Sequence, residues 1–250
     1  MLSLIFSAGK IVNLYTFGFL LAIGVFLEIF IIWRRLKDLG LKEERVLDFL
    51  MIGLVFGFIL SRTFFIIENF HQFGFLPLHW LSFIHFPGFS FWGWPVGLGL
   101  SLWWFTKGER WEIWRVVDEV TFGIFPFLIL FQIGSFLDGS GFGRTTNMPW
   151  GMYFPGTLLK RHPISLISAF LLFFIWFFLL KIERHWRIWD WYKSKEGGFI
   201  TLSGFGLVLL THLPLAFLSD TRVYFYWLGG GLTIIGLATT VILFFIKSKR

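Results

Sequence analysis

The sequence predicts an all-α fold, a polytopic membrane helical bundle of about seven transmembrane helices with the N-terminus outside and the C-terminus cytoplasmic. Three observations carry this expectation. Of 250 residues, 56% are hydrophobic and 22% aromatic, while 15% are charged, against about 25% charged in a soluble domain. Seven apolar runs reach or approach the roughly 20 residues needed to cross a bilayer. The basic residues cluster in short connections between those runs, as cytoplasmic loops do.

In chain order the runs are 11–33, 46–67, 91–106, 116–137, 164–182, 199–217 and 225–246. The first follows Met1 closely. It is too long for a signal-peptide core and no small-x-small cleavage pattern follows it, so a retained helix is expected. The run 91–106 is short. The aromatic stretch before it, 76–90, holds Pro77 and Pro87 and reads as a re-entrant or interfacial segment. Residues 1–250 read as a single integral membrane domain whose longest outside loop, 138–163, is rich in Gly and Pro.

Orientation follows from counting. Sixteen Lys and Arg fall on one set of connections, among them Arg34, Arg35, Lys107, Arg184 and Lys247. Five fall on the other, namely Lys10, Arg144, Lys160, Arg161 and Arg222, and Arg62 lies inside a run. The richer side is expected to face the cytoplasm.

The net charge of +7 does not imply nucleic acid, because its basic residues are dispersed among membrane connections and form no folded basic face. The chain has no Cys, which excludes disulfides, thiolate metal sites and a resident thiol nucleophile. The six His are scattered. Neither a metal nor another cofactor is expected.

Ionisable residues at membrane depth are functional candidates because burying them is costly. At 1.5 Å per residue, Glu28 lies about 8 Å and Arg62 about 24 Å above the cytoplasmic end of their helices. Tyr15, Gln132 and Ser135 lie at about 27, 24 and 28 Å, on the level of Arg62. Asp118 falls within about 5 Å of the cytoplasmic surface and reads as a solvated helix end. A guanidinium at the depth of Arg62 suits a lipid phosphate, since its planar fork donates two hydrogen bonds at once. Asp138 and Arg144 flank Gly139, Gly141 and Gly143, glycines that let a backbone bend and approach a ligand.

Residues 131–146 read F-Q-I-G-S-F-L-D-G-S-G-F-G-R-T-T. This resembles the signature of bacterial prolipoprotein diacylglyceryl transferases, G-R-x-G-N-F-x-N-G-E-x-x-G-R-x-T. The run Pro149 to Pro155 resembles the family's P-W-x-x-x-F-P, and His162-Pro163 its H-P-x-Q-L-Y-E-A. Tyr15, Arg34-Arg35, Arg62 at the Arg of the family's G-x-R, Ser90 to Gly93 and Asp118 fall on further family positions, so the similarity runs over nearly the whole chain. The resemblance implies a multi-pass protein of the bacterial cytoplasmic (inner) membrane. It implies transfer of diacylglyceryl from phosphatidylglycerol, or a related phospholipid, to the cysteine thiol of a prolipoprotein signal-peptide lipobox. Carried over by position, Tyr15, Ser135 and Gly143 belong to the catalytic set and Arg62, Gln132 and Arg144 to the phosphate cradle, with Asp138 as an accessory candidate; His212, one residue past the family's Glu position, is a further accessory candidate as a substitute proton acceptor.

The departures from the family pattern are specific. Gln132 stands where the signature has Arg, Ser135 and Asp138 where it has Asn, and Ser140 where it has Glu. Trp92 replaces a His, Ser165 a Gln, and Leu207 and Thr211 an Arg and a Glu. Two expectations follow: a transferase with an eroded signature, or a catalytically inactive relative that binds lipid or a lipoprotein precursor.

Overall fold

The computed structural model describes residues 4–8, 12–82, 86, 88–185, 197–220 and 223–248; for 4–8, 12–15, 185, 223–230, 232, 247 and 248 it describes backbone alone. The fold is dominated by helices. A two-stranded antiparallel hairpin, β1 (Leu4–Ala8) and β2 (Val12–Tyr15), precedes α1 (Thr16–Asp38). There follow α2 (Glu43–Glu68), the short α3 (Phe70–Phe73) and α4 (Pro77–Leu81), α5 (Gly93–Gly108), α6 (Ile113–Asp138), α7 (Ile164–His185), α8 (Phe199–Leu218) and α9 (Val223–Ser248). The expected first span from residue 11 is corrected at its start, because Val12–Tyr15 is strand. Alternating apolar and polar residues there favour extended backbone.

Five helices, α1, α2, α6, α7 and α8, are long and apolar enough to cross a membrane. The residues described within α9 include the shorter apolar stretch Thr233–Ile246. Helix α5, with 16 residues, spans about 24 Å at 1.5 Å per residue. The chain divides into two compact units, Met1–Ile32 with Val117–Arg250, and Trp33–Val116.

In the unit Trp33–Val116, α2 and α5 meet backbone to backbone. Small residues recur every fourth position on both, at Gly53, Gly57 and Ser61 and at Gly93, Gly97 and Ser101. A Cβ added at Gly93 would lie 1.9 Å from the Ser61 amide nitrogen, and one at Gly97 2.2 Å from that of Gly57. Such approaches exclude any larger residue and exploit dispersion between main chains, which drives helix association where lipid removes the hydrophobic term. The buried Ser101 hydroxyl donates to the Phe49 carbonyl at 2.7 Å.

The unit Met1–Ile32 with Val117–Arg250 is held differently. Phe122 and Phe125 of α6, Leu172, Ile175, Leu179 and Ile182 of α7, and Ile200 of α8 form one buried side-chain cluster. Helix α1 packs on α6 where Gly24 meets Phe127 and Gly134 meets Phe17. Glu28 is buried in α1, so it does not reach solvent at the interface. Asp118 of α6 caps the N-terminus of α8. Its carboxylate accepts from the Gly198 amide at 2.6 Å, the Thr201 amide at 2.8 Å and the Thr201 hydroxyl at 2.7 Å. This corrects the reading of Asp118 as a solvated end: the negative charge satisfies amide donors that the first turn of α8 leaves open and complements its dipole.

Candidate active site

The signature segment begins in the last turns of α6. Gln132 and Ser135 are half-buried there, and Asp138, the final helical residue, is exposed. The helix stops at Gly139, whose φ of 86° is a left-handed conformation that a Cβ disfavours. The Gly139 amide donates to Phe136 and the Ser140 amide to Ser135, the paired bonds of a Schellman termination. Three serines from separate segments then converge. Ser135 Oγ lies 2.9 Å from Ser140 Oγ, and Ser165, near the start of α7, donates its single hydroxyl hydrogen to the Gly141 carbonyl at 3.1 Å, with Ser135 Oγ 3.4 Å away as the alternative acceptor. Gly141, with φ 68°, runs so close that an added Cβ would lie 1.8 Å from Ser165 Oγ.

Gly143 is constrained by protein. A Cβ there would lie 2.2 Å from the Leu218 carbonyl oxygen, at the end of α8. Its amide donates to the His162 carbonyl at 2.8 Å. Arg144 continues along the same edge: its amide donates to the Leu218 carbonyl and its Nε to that of Ser219, at 2.8 and 3.0 Å. The residue remains exposed, so it sits where solvent or a ligand can reach it.

Arg161 completes this edge. Its guanidinium donates to the Gly143 carbonyl at 3.1 Å, pairs with Asp220 and lies over the Phe142 ring. Sequence reasoning did not single it out. The signal available was an Arg directly before His162-Pro163, which from charge alone reads as one more outside cation. His162 is buried and its Nδ1 accepts from the Trp150 indole N–H at 3.1 Å. Since the indole can only donate, this bond assigns the proton of a neutral imidazole to Nε2.

Tyr15 ends β2 immediately before α1; its side chain lies outside the described residues. His212 occupies an exposed position on α8. The structure thus gathers Ser135 at the end of α6, Ser140, Gly141, Gly143 and Arg144 of the connection that follows, and Ser165 at the start of α7, joined at the far edge to the end of α8.

Arg62 belongs to the other unit. It is buried, and its fork donates to four carbonyls, that of Trp80 in α4 at 3.0 Å and, in the segment after it, those of Ser82 at 3.2 Å, Phe86 at 2.7 Å and Gly88 at 3.0 Å. The rings of Phe65 and Phe73 lie 5.7 and 5.2 Å from the guanidinium carbon. The guanidinium therefore binds main-chain oxygens in this conformation. Gly88 is held against Phe65, where a Cβ would come within 2.2 Å of the ring.

Comparison with known proteins identifies the family. The family model described as prolipoprotein diacylglyceryl transferase matches residues 3–210. A phosphatidylglycerol–prolipoprotein diacylglyceryl transferase of Brucella anthropi is 30% identical over 162 residues, covering 62% of this chain and 54% of the relative. Those of Brucella ovis and Brucella canis are each 28% identical over 158 residues, with the same coverage. The chain spans about half the length of these relatives. With a signature connection held between two apolar helices and a family match over most of its length, this multi-pass membrane protein belongs to the prolipoprotein diacylglyceryl transferase family.

Proposed function

We propose that the protein transfers a diacylglyceryl group from phosphatidylglycerol to the lipobox cysteine of a prolipoprotein. The substrate thiolate attacks a glycerol carbon of the lipid. A sulfur–carbon bond forms, the carbon–oxygen bond to phosphate breaks, and glycerol phosphate leaves with the electron pair. The thiol proton passes to a base. The observation that carries this reading is the signature connection, folded with Arg144 exposed at its edge. An exposed guanidinium can hold the phosphate and stabilise the charge that grows on it as the bond breaks.

In this reading Gln132 and Arg144 contact the phosphate, and Ser135 and Tyr15 orient the headgroup or thiol. Gly143 lets Arg144 sit against the end of α8. Asp138 and His212 are accessory, with His212 a candidate proton acceptor. Arg62, in the other unit, is a phosphate-binding candidate considered by itself: its guanidinium would exchange carbonyl partners for phosphate oxygens. The absence of Cys fits a reaction whose thiol arrives on the substrate. Seven spans, an outside N-terminus, a cytoplasmic C-terminus, one integrated membrane domain and residence in the inner membrane complete the proposal. The apolar runs support the spans, the distribution of basic residues the orientation, and family membership the membrane.

The purified protein, incubated with labelled phosphatidylglycerol and a lipobox peptide, is expected to yield a thioether-linked product. Arg144→Ala should slow formation by roughly tenfold or more, the loss of one charge-assisted contact. No product with lipid binding retained would refute transfer and leave a lipid-binding protein.

A further inference from the structure

We propose that the tip of the connection between α6 and α7 is a membrane-docking surface. Leu158 and Leu159 would be seated in the lipid interface beside the end of α6, with Lys160 at the level of the headgroup phosphates. The surface is distinct from the phosphate contact at Arg144 and stands whether or not the protein catalyses transfer.

Exposure raises the question first. Leu158 is 95% exposed, Leu159 63% and Tyr153 64%. These side chains are not left over from a poorly formed loop. The connection has its own small core, in which buried Phe154 packs on Phe136 of α6 and on Phe142, with ring centroids 6.1 and 5.3 Å away. Thr157 ties the turn by accepting from the Phe154 amide at 3.1 Å and donating to its carbonyl at 2.8 Å. Met152 and Arg161 pair across the stem. A well-fastened turn therefore presents two consecutive leucines outward.

Height identifies the occupant. Helix α6 carries apolar residues up to Leu137, and Gly139 follows directly after its last residue. Pro155, in the turn, packs onto Gly139, where an added Cβ would lie 2.9 Å from the proline Cδ. The turn thus folds back to the level where α6 leaves its apolar stretch. On a spanning helix that level is the interface between hydrocarbon and headgroups. Leu158 follows Pro155 by three residues and cannot stand far from that plane.

Charge agrees. Residues 139–163 contain Arg144, Lys160 and Arg161 and no Asp or Glu. Lys160 lies over the Tyr153 ring at 5.8 Å. An aromatic ring and a long cation beside exposed aliphatics are the residue types that settle at a membrane interface, with apolar parts down and the ammonium toward phosphate. At 95% exposure Leu158 projects from the turn, as a side chain that enters lipid would.

The absence of Cys makes the test direct. Leu158→Cys in the full chain, labelled with an environment-sensitive fluorophore, is reconstituted into phosphatidylcholine–phosphatidylglycerol nanodiscs. Some discs carry nitroxide lipids labelled near the carbonyl end of the acyl chain. A blue-shifted spectrum and strong quenching at position 158 are expected, against a water-like, weakly quenched signal from Asn147→Cys in the same connection. Both variants lie at exposed positions, and the fold is checked by their melting temperatures. A water-like, unquenched signal at 158 would overturn the proposal. So would shielding that develops only on addition of a lipobox peptide, because the surface would then serve a polypeptide.

Discussion

The two compact units solve the same problem, holding helices together in an apolar solvent, by opposite means. In Trp33–Val116 the contact is between main chains: Gly93 and Gly97 lie directly on the backbone of α2, and the fork of Arg62 grips four carbonyls of the segment before α5. In the other unit, Phe122, Leu179 and Ile200 keep α6, α7 and α8 apart by a layer of interlocking side chains. The glycine-lined pair tolerates almost no added atom. The side-chain cluster can repack, but loses contacts when one is deleted. Sensitivity to enlargement should therefore dominate the first unit and sensitivity to truncation the second.

The largest expected effect is Arg62→Ala, which removes the shared donor of four carbonyls and should cost about 3–5 kcal/mol, read as loss of thermal stability in detergent. Arg62→Lys, lacking the planar fork, should recover little of it. Next, Gly97→Val forces α2 and α5 apart and should cost about 3 kcal/mol. A wild-type melting temperature would show that the close approach contributes little. In the second unit, Leu179→Ala should cost about 2 kcal/mol, because the lipid reference keeps the cavity and dispersion part of the usual penalty. Should it match Gly97→Val in size, the contrast between the units weakens. Asp118→Ala should cost about 1 kcal/mol as a lost cap, and hydrogen exchange should rise first at Thr201. The smallest effect belongs to Gly99→Ala. No atom lies within 4 Å of its added Cβ, so a gain of about 0.5–1 kcal/mol is expected from helix propensity. A loss would mean that this face of α5 is covered.

Much of the architecture was legible because span length and apolarity are local properties. The runs 46–67, 116–137, 164–182 and 199–217 lie inside α2, α6, α7 and α8. The boundary at Tyr15 was not, since hydropathy alone does not separate a strand from the start of a helix. The four-residue spacing of Gly53–Gly57 and Gly93–Gly97 is a sequence-level mark of close helix packing, although it does not name the partner helix. The signature pointed to the connection after α6, including Ser135 and Arg144. It could not show that Ser135, Ser140 and Ser165 would share hydrogen bonds, because their convergence depends on the turns at Gly139 and Gly141. Arg62 and Asp118 were flagged by charge and depth. Their partners, eighteen or more residues away in one case and about eighty in the other, are facts of folded geometry that no spacing encodes.

Asp118 has a consequence for how this chain can change. Because its carboxylate takes hold of the amides at Gly198 and Thr201, the rotational phase of α8 is dictated from α6, and the intervening connector need not set it. Insertions or exchanges in that connector should leave α8 facing as it does now. Evolution or an engineer could thus rewrite the link between α7 and α8 without disturbing the far end of α8, where Leu218 and Ser219 receive Arg144.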